Sequence, residues 1–458
     1  MRRTPHRLLA LLLASLLPAF ALAQPAPAAP AERLLIRADR VIADPATGTV
    51  GPATLVLRGD RIEAVLPGAD AVVEAEPGEA ALRELRFAGA EYTLIPGLID
   101  SHVHLTGNPA RPFWSVTVTT PERATTTGVV NALRTLRAGF TTVRDLGAPA
   151  QAAYALRDAI HAGEVPGPRI LAAGRMVSIV GGHADLTGFR PEVINALNAR
   201  NTCTGPVQCA ERVRELSQAG ADVVKFAATG GVLSLQNRGL DQHFTDEEMK
   251  AIVSTAHLLG LRVAAHAHGP RGIEAAARAG VDSIEHGTYI DAAGVRAMQA
   301  SGSVLVPTLS PTIAYRENLP RGLYSPVVEV KIRQRLEATG KNIAAARRAG
   351  LTIAFGTDAG VSEHGRNAEE MDLMVRYGGM NAQEVLVSAT RTAATLLGLE
   401  NEIGRLAPGF SADLVVVRGD PLADVEAMQR DRIHFVMARG QAVPLSDATP
   451  ALVPATAP

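Results

Sequence analysis

The amino-acid sequence predicts an α/β protein: a (β/α)8 TIM barrel joined to a small β-sandwich that is built from both ends of the chain. Three observations favour this fold. The chain of 458 residues is long enough for one large core and a smaller companion domain. Its middle alternates apolar runs with amphipathic segments, whereas its ends carry only short strand-like runs. Aromatic residues make up only 4% and glycine occurs 42 times, which favours tight strand-to-helix turns over an all-β fold.

Eight apolar runs in the middle of the chain are interpreted as the barrel strands. They are Leu94–Asp100, Thr141–Arg144, Arg169–Ala173, Asp222–Phe226, Arg262–His266, Ser283–His286, Val304–Pro307 and Thr352–Phe355. The preceding amphipathic segments often close on glycine, as at Gly139, Gly220, Gly260, Gly280 and Gly350. Glycine is the residue expected to end a helix before the next strand. We therefore expect the barrel to occupy residues 95–402.

The flanking segments predict the small β-sandwich. Residues 33–94 and 403–443 contain short runs rich in Val, Ile and Leu that Gly and Asp turns separate. Outside them lie a Pro/Ala-rich spacer at 24–32 and an Ala/Pro/Thr-rich tail at 444–458. Neither has enough apolar surface to order itself, so the tail is expected to be disordered.

The first 23 residues have the pattern of a secretory signal peptide. Arg2, Arg3 and Arg7 precede an apolar run at 8–17 that is too short to span a bilayer, and Ala21-Leu-Ala supplies a cleavage site. A membrane anchor is the alternative. The signal predicts a periplasmic or secreted protein, with no membrane association after its removal. The formal net charge of −1 gives no reason to expect nucleic acid, so a small-molecule partner is favoured.

The predicted export bears on the two cysteines, because disulfides form in oxidising compartments. Cys203 and Cys209 flank a loop-like segment in a chain destined for an oxidising compartment, which favours a structural disulfide over two free thiols.

Ionisable residues collect at the predicted carboxyl ends of the strands, where TIM barrels carry their functional sites. Alternation along a strand sends residues i and i+2 to one side, so His102 and His104 can chelate one ion. Further candidate ligands, of types that suit zinc and similar ions, are His266, His286 and Asp358. Each alone has an ordinary explanation, a hydrogen-bonded histidine or an aspartate at a helix N-terminus. Their joint occurrence at one rim favours a metal site.

Lys225 lies among Val223, Val224 and Phe226, where a lone cation would be costly to bury. A salt bridge is one explanation. A neutral amine close to two metals is the other.

These motifs together resemble the amidohydrolase superfamily, in its branch of exported Xaa-Pro dipeptidases and imidazolonepropionase-like enzymes, which includes ochratoxin-degrading amidohydrolases. The motifs that carry the resemblance are Pro96-Gly-Leu-Ile-Asp-Ser-His-Val-His, Val224-Lys-Phe-Ala-Ala-Thr-Gly-Gly, Ala265-His-Ala-His-Gly, Ser283-Ile-Glu-His-Gly-Thr and Gly356-Thr-Asp-Ala-Gly. They span the whole predicted barrel.

The resemblance implies two divalent ions, expected to be zinc, and a carbamate formed on Lys225 from carbon dioxide. His102, His104 and Asp358 would hold the more buried ion, while Lys225 would bridge to a second ion held by His266 and His286. Asp358 would also transfer the proton during hydrolysis.

The remaining site residues are expected to contact the substrate. His183 follows Gly181-Gly182 and is a candidate donor to the developing oxyanion, with a structural loop histidine as the alternative. His268 would line the pocket or face away from the metal ligands. Arg238 and Tyr315 are candidates for holding a substrate carboxylate.

The implied substrate is a dipeptide or an N-acyl amino acid. One rival hypothesis is hydrolysis of a cyclic amide, as by imidazolonepropionase, although export argues against it. The other is a non-catalytic scaffold with the same fold. The resemblance further implies a homo-oligomer, up to an octamer.

Overall fold

The structure, a computed structural model, describes residues 32–76, 79, 82–109, 111, 113–197, 200–235, 239–445 and 453–454. The predicted signal peptide and residues 24–31 of the spacer lie outside these ranges. Within the ranges, no helix combines the length and the apolar character needed to cross a membrane.

The described residues contain strands before, within and after the helical middle segment. Their bounds are β1 Arg33–Val41, β2 Gly51–Arg58, β3 Arg61–Pro67, β4 Arg83–Phe87, β5 Tyr92–Pro96, β6 Leu98–Val103, β7 Phe140–Asp145, β8 Arg169–Ala172, β9 Val223–Ala227, β10 Arg262–Ala267, β11 Ser283–His286, β12 Val304–Val306, β13 Leu414–Arg418, β14 Ile433–Ala438, β15 Gln441–Ala442 and β16 Val453–Pro454.

The helices lie mainly between the strands of the middle segment. Their bounds are α1 Pro121–Arg137, α2 Ala150–His161, α3 Pro191–Ala196, α4 Pro206–Gln218, α5 Asp246–Leu258, α6 Pro270–Ala279, α7 Ala292–Ser301, α8 Pro311–Asn318, α9 Pro326–Ala338, α10 Ile343–Arg348, α11 Glu369–Gly378, α12 Ala382–Val387 and α13 Ala393–Leu397. Short 3-10 turns occur at Phe113–Thr117, Leu319–Arg321, Val425–Met428 and Arg430–Arg432, and a π-helical turn at Ser388–Thr392.

Local sequence explains where the helices start and stop. Proline occupies the first turn of α1, α4, α6, α8 and α9, where its missing N–H costs nothing. Thr245 and Glu248 form a reciprocal capping box at the start of α5. All five glycines predicted to end helices have a positive φ: Gly139, Gly220, Gly260, Gly280 and Gly350. This is the left-handed conformation in which glycine carries no steric penalty.

The middle of the chain forms two parallel sheets, with strand orders β6-β7-β8 and β12-β11-β10-β9. Backbone hydrogen bonds link them on one side, from Asp222 N to Ala172 O (2.9 Å) and from Val177 N to Lys225 O (2.8 Å). On the other side the segment 352–359 lies between β12 and β6, with bonds from Ala354 N to Leu305 O (2.9 Å) and from Ser101 N to Phe355 O (3.0 Å). The arrangement of strands and intervening helices is TIM-barrel-like.

Two of the predicted barrel strands differ in the structure. The first is split at Gly97, whose N–H bonds to Asp413 O (2.9 Å), so β5 belongs to the terminal sheet and β6 to the barrel-like part. The eighth, at 352–355, makes only an isolated bridge between Leu305 and Ile353. Its ladder is interrupted because Phe355 N bonds to Ser388 O (3.1 Å) on the π-helical turn.

Both ends of the chain build one nine-stranded sheet. Its main path is β15-β14-β13-β5-β1-β2-β3, and β13 pairs antiparallel with β5 from Leu414↔Pro96 to Arg418↔Tyr92. The predicted association of the two chain ends is present, in a single hydrogen-bonded sheet. Val453–Pro454, in the segment predicted to be a disordered tail, pairs with β4.

Cys203 and Cys209 form a disulfide with their Cα atoms 5.0 Å apart. Both residues are buried, and Cys209 lies in the first turns of α4. The bridge therefore ties the segment before α4 to the helix itself.

Candidate metal centre

His102, His104 and Asp358 meet at one end of the parallel strands. The Oδ1 atom of Asp358 lies 3.5 Å from His102 Nε2 and 3.2 Å from His104 Nε2. Asp358 has a φ of 60°, an uncommon value for a residue other than glycine. Such strained backbone clusters at functional sites, where the surrounding structure enforces it. One candidate ligand atom from each residue lies within 4.8 Å of the other two.

In each histidine of this first cluster, a hydrogen-bond partner at Nδ1 fixes the orientation of the ring. His102 Nδ1 lies 2.8 Å from Glu285 Oε2, and His104 Nδ1 lies 2.8 Å from the carbonyl oxygen of Gly147. An acceptor at Nδ1 holds the proton there and leaves Nε2 free to bind an ion. Arg144 Nη2 in turn donates to Glu285 Oε1 at 2.9 Å, and both of these charged side chains are buried.

A second cluster consists of His266, His268 and His286, whose candidate ligand atoms also lie within 4.8 Å of one another. His286 Nε2 and His266 Nδ1 are 2.9 Å apart. His286 Nδ1 is 2.6 Å from Thr308 Oγ1, and His286 has a φ of 73°. The structure thus brings His266 and His286 together, as the sequence interpretation expects.

His268 belongs to the same cluster rather than facing away from it. Its Nδ1 is 2.7 Å from the hydroxyl of Thr288, and its ring stacks on that of His286 with centroids 4.8 Å apart. It lines the cavity together with His266 and His286.

Lys225 lies beside the first cluster. Its Nζ is 3.4 Å from His102 Nε2, and its side chain is fully buried on β9. Burial lowers the pKa of Lys225 to about 8, although the charges of Glu285 and Asp358 oppose that shift. An amine with this pKa is neutral in an appreciable fraction of molecules near neutral pH, which is the form that can react with carbon dioxide.

Electrostatics keep the first cluster in a form suited to a cation. Burial lowers the pKa of His102 to about 4, so its ring is neutral. Burial would raise the pKa of Asp358, but its neighbours His102, His104 and Lys225 hold it at about 2. Burial tends to lower the pKa of His104, but the hydrogen bond to Asp358 and the charge of Asp358 outweigh that effect, so the pKa is raised. Burial holds the pKa values of His266, His268 and His286 well below the usual range.

His183 reaches the second cluster from the loop after β8. Its ring centroid lies 4.2 Å from that of His266, and its Nδ1 lies 2.5 Å from Ser234 Oγ. A Cβ at Gly231 would overlap the His183 ring, so the space beside this glycine is what admits the histidine. The second glycine after Thr229 therefore makes room for the His183 ring.

A small cavity of about 80 Å³ is lined by every residue predicted to bind metal, and also by His183, His268 and Tyr315. An adjoining hollow of about 630 Å³ shares Leu233 and Val361 with it and is lined largely by apolar side chains such as Trp114 and Leu323. Arg238, predicted as a candidate carboxylate ligand, lies outside the described residues.

Sequence reasoning missed several residues of this site. Glu285 directly precedes His286, and the period of two along a strand predicts opposite faces for these neighbours, so the pattern gave no reason to place both beside His102. Arg144 ends the predicted strand Thr141–Arg144, whose other residues are uncharged, and a lone charge in such a run indicates a buried one. Arg335 lines the cavity from α9, and no sequence signal distinguishes it from Arg333, the other arginine of that helix.

The donor set fits divalent metal ions. Imidazole nitrogens, a carboxylate and a lysine that can be carboxylated converge in two adjoining clusters, and the supporting acceptors fix the histidine tautomers. Histidine and carboxylate ligands suit zinc, manganese or cobalt.

Fold and site define a TIM-barrel-like protein with a candidate metal centre at the carboxyl ends of its parallel strands. The profile of the amidohydrolase family matches residues 93–443, and the chain belongs to this family. The family is generally metal-dependent, in keeping with the histidine and aspartate clusters. The family assignment made from the motifs is confirmed, and the protein is a hydrolase acting on amide bonds.

Named relatives share most of the chain. An ochratoxinase of Aspergillus niger is 30% identical over 376 residues, which cover 78% of this chain and 77% of that protein. The crystal structure of a Xaa-Pro dipeptidase with bound methionine has a TM-score of 0.79 at 32% identity, covering 90% of this chain and 99% of the other. The structure of a prolidase complexed with N-methylphosphonate-L-proline has a TM-score of 0.80 at 29% identity, with 90% and 99% covered.

Proposed function

We propose that the protein is a binuclear metal-dependent hydrolase that cleaves the amide bond of dipeptides or N-acyl amino acids and releases the C-terminal amino acid. The main observation behind this proposal is that both ligand clusters line one cavity. The Nζ atom of buried Lys225 lies 3.4 Å from His102 Nε2 in that cavity. The similarity to a Xaa-Pro dipeptidase, a prolidase and an ochratoxinase supports this substrate class, including ochratoxin-type amides of phenylalanine.

In this proposal His102, His104 and Asp358 would hold one ion, and His266 and His286 would hold the second. Lys225, once carboxylated by carbon dioxide, would contribute a ligand to both. Zinc is the expected metal. When bound, the ions lower the pKa of water and polarise the scissile carbonyl.

The chain's own residues supply the proton transfers. Asp358 is ionised at neutral pH because its pKa is held at about 2, so its carboxylate accepts the proton of the attacking water and delivers it to the leaving amine. His183 is neutral because burial lowers its pKa to about 3. With Nδ1 engaged by Ser234, its Nε2 is left to donate to the developing oxyanion.

The outer hollow supplies room for the rest of the substrate. A volume of about 630 Å³ lies within the range of small-molecule sites, and its apolar lining suits an acyl group or an apolar side chain. Because it shares Leu233 and Val361 with the inner cavity, a substrate held there extends directly to the metal ligands.

The proposal extends to the remaining architecture and location. We propose a closed eight-stranded barrel at 95–402, a small β-sandwich domain from 33–94 and 403–443, a homo-oligomeric assembly, and a periplasmic or secreted location. Its support is the hydrogen bonding at both edges of the two parallel sheets and the pattern of the first 23 residues.

The experiment is a substrate panel on the purified protein. It comprises Xaa-Pro, Xaa-Phe and Xaa-Arg dipeptides, N-acyl phenylalanines and imidazolonepropionate, with an Asp358→Asn variant as the control. Release of free amino acids by wild type and not by the control is expected. Ring opening of imidazolonepropionate without dipeptide turnover would refute the proposed substrate class.

A further inference from the structure

Arg335 is a buried cation that faces the active-site cavity. It lies on α9, is 3% exposed, and lines the same small cavity as the metal-ligand candidates. Its Nη2 donates to the carbonyl oxygen of Thr308 at 3.3 Å, a long and weak bond. Within the described part of the chain, no carboxylate oxygen lies within 4.0 Å of its guanidinium.

The other buried arginines show how unusual this is. Arg33 pairs with Glu79 at 2.6 Å, Arg144 pairs with Glu285 at 2.9 Å, and Arg212 pairs with Glu215. Burying a charge costs several kcal/mol unless a partner compensates it, which is why buried arginines have carboxylate neighbours. Arg335 is also buried, but none of the described carboxylates lies within 4.0 Å of its guanidinium. An anionic ligand in the cavity would provide the missing counter-charge.

Tyr315 adds a second donor to the same place. It is 4% exposed on α8 and lines the cavity with Arg335. In the described structure no hydrogen bond is made by its hydroxyl. A planar guanidinium and a hydroxyl together match the two oxygens of a carboxylate.

We propose that Arg335, assisted by Tyr315, binds the free α-carboxylate of the substrate and thereby makes the enzyme specific for amide bonds one residue from a C-terminus. This inference rests on the proposed function and deepens it. In a dipeptide or N-acyl amino acid, the α-carboxylate is separated from the scissile amide nitrogen by a single carbon. Because the cavity measures only about 80 Å³, a carboxylate on Arg335 leaves that amide beside the metal ligands. Substrates with a blocked C-terminus lose this contact.

The test compares charged and neutral forms of one substrate. The best dipeptide or N-acyl amino acid from the panel and its C-terminal amide are assayed with wild type, Arg335→Met, Arg335→Lys and Arg333→Met. Arg333 is the matched control, because it lies on the same helix with a 63% exposed side chain. All variants are also checked for metal content and thermal midpoint.

For Arg335→Met, we expect kcat/KM on the carboxylate substrate to fall about 10- to 100-fold, mainly through KM, as for loss of a charged hydrogen bond. The amide substrate should change less than about threefold. Arg335→Lys should restore part of the loss, and Arg333→Met should match wild type. Equal losses on both substrates, or none on either, would overturn the proposal. The first pattern would instead assign Arg335 to support of Thr308 and, through it, of His286.

A binding measurement separates this proposal from the proposed function. Binding of N-acetyl-L-phenylalanine and of its neutral amide is measured by calorimetry on the metal-loaded protein. If wild type hydrolyses no member of the panel, the proposed function fails. Preferential binding of the carboxylate that Arg335→Met abolishes still supports the role of Arg335. Equal binding by wild type and Arg335→Met contradicts it, whatever the activity.

Discussion

Replacing Glu285 with glutamine is expected to destabilise the whole protein as well as the site. Glu285 is fully buried on β11 and receives hydrogen bonds from His102 Nδ1 (2.8 Å), Arg144 Nη2 (2.9 Å) and Ser283 Oγ (2.5 Å). Glutamine preserves the shape of the side chain but removes its charge. The Arg144 guanidinium would then be left in the core without a counter-charge.

Two independent considerations give the size of the effect. Burial would raise the pKa of Glu285, but the charge of Arg144 and the hydrogen bond from His102 hold it at about 2, against an ordinary 4.5. At about 1.36 kcal/mol for each pH unit, that difference corresponds to roughly 3 kcal/mol in favour of the charged form. Breaking a buried ion pair by removing one partner typically costs about 3–5 kcal/mol. We therefore expect a loss of about 3 kcal/mol.

The assay is urea unfolding of the metal-free protein at pH 7, so that loss of metal does not contribute. Glu329→Gln is the control, because Glu329 forms only a surface pair with Arg333 at 3.6 Å and should change stability by less than about 0.5 kcal/mol. In the double variant with Arg144→Met, the combined loss should be smaller than the sum of the single losses by at least about 1 kcal/mol. A loss below about 1 kcal/mol for Glu285→Gln, or strict additivity, would refute the reasoning.

Three further predictions concern the second cluster, the glycine loop and the half-buried carboxylate of Asp372. His266→Ala should retain about one ion per chain and His268→Ala about two, measured by elemental mass spectrometry; the reverse result would transfer the ligand role to His268. Gly231→Ala should lower kcat at least about tenfold by displacing His183, whereas Gly51→Ala, where an added Cβ meets no neighbouring atom, should match wild type in the same assay. Burial, together with Glu426, Asp424 and Glu369, raises the pKa of Asp372 from 3.8 to about 6, so the folded protein loses stability as the pH rises through that window. Thermal midpoints of Asp372→Asn should equal those of wild type below pH 3.8 and exceed them above pH 6, and equal midpoints throughout would contradict the assignment.

The candidate ligands were predictable because strand alternation and strand-end position depend on local sequence. His102 and His104 are two residues apart at the end of β6, and that spacing alone predicts side chains on one side. Lys225 was conspicuous because a charge stood inside an apolar run. The structure brings these residues together with His266, His286 and Asp358 in one cavity.

The remainder depends on contacts between segments distant in sequence. Arg335 lies on a helix, and tertiary packing rather than local sequence decides which side chains of that helix reach the cavity. His268 joins the second cluster because Thr288, from the next strand-to-helix turn, fixes its ring. The split of the first predicted strand at Gly97 likewise depends on Asp413, which comes from the other end of the chain and whose carbonyl accepts the Gly97 N–H.

The metal content of the purified wild-type protein tests the central claim most directly. Elemental mass spectrometry on protein prepared without chelators should find about two divalent ions per chain, and Lys225→Ala should hold fewer. Near-absence of bound metal in active wild-type protein would contradict the binuclear mechanism. Near-absence in protein without amidase activity would favour a non-catalytic scaffold.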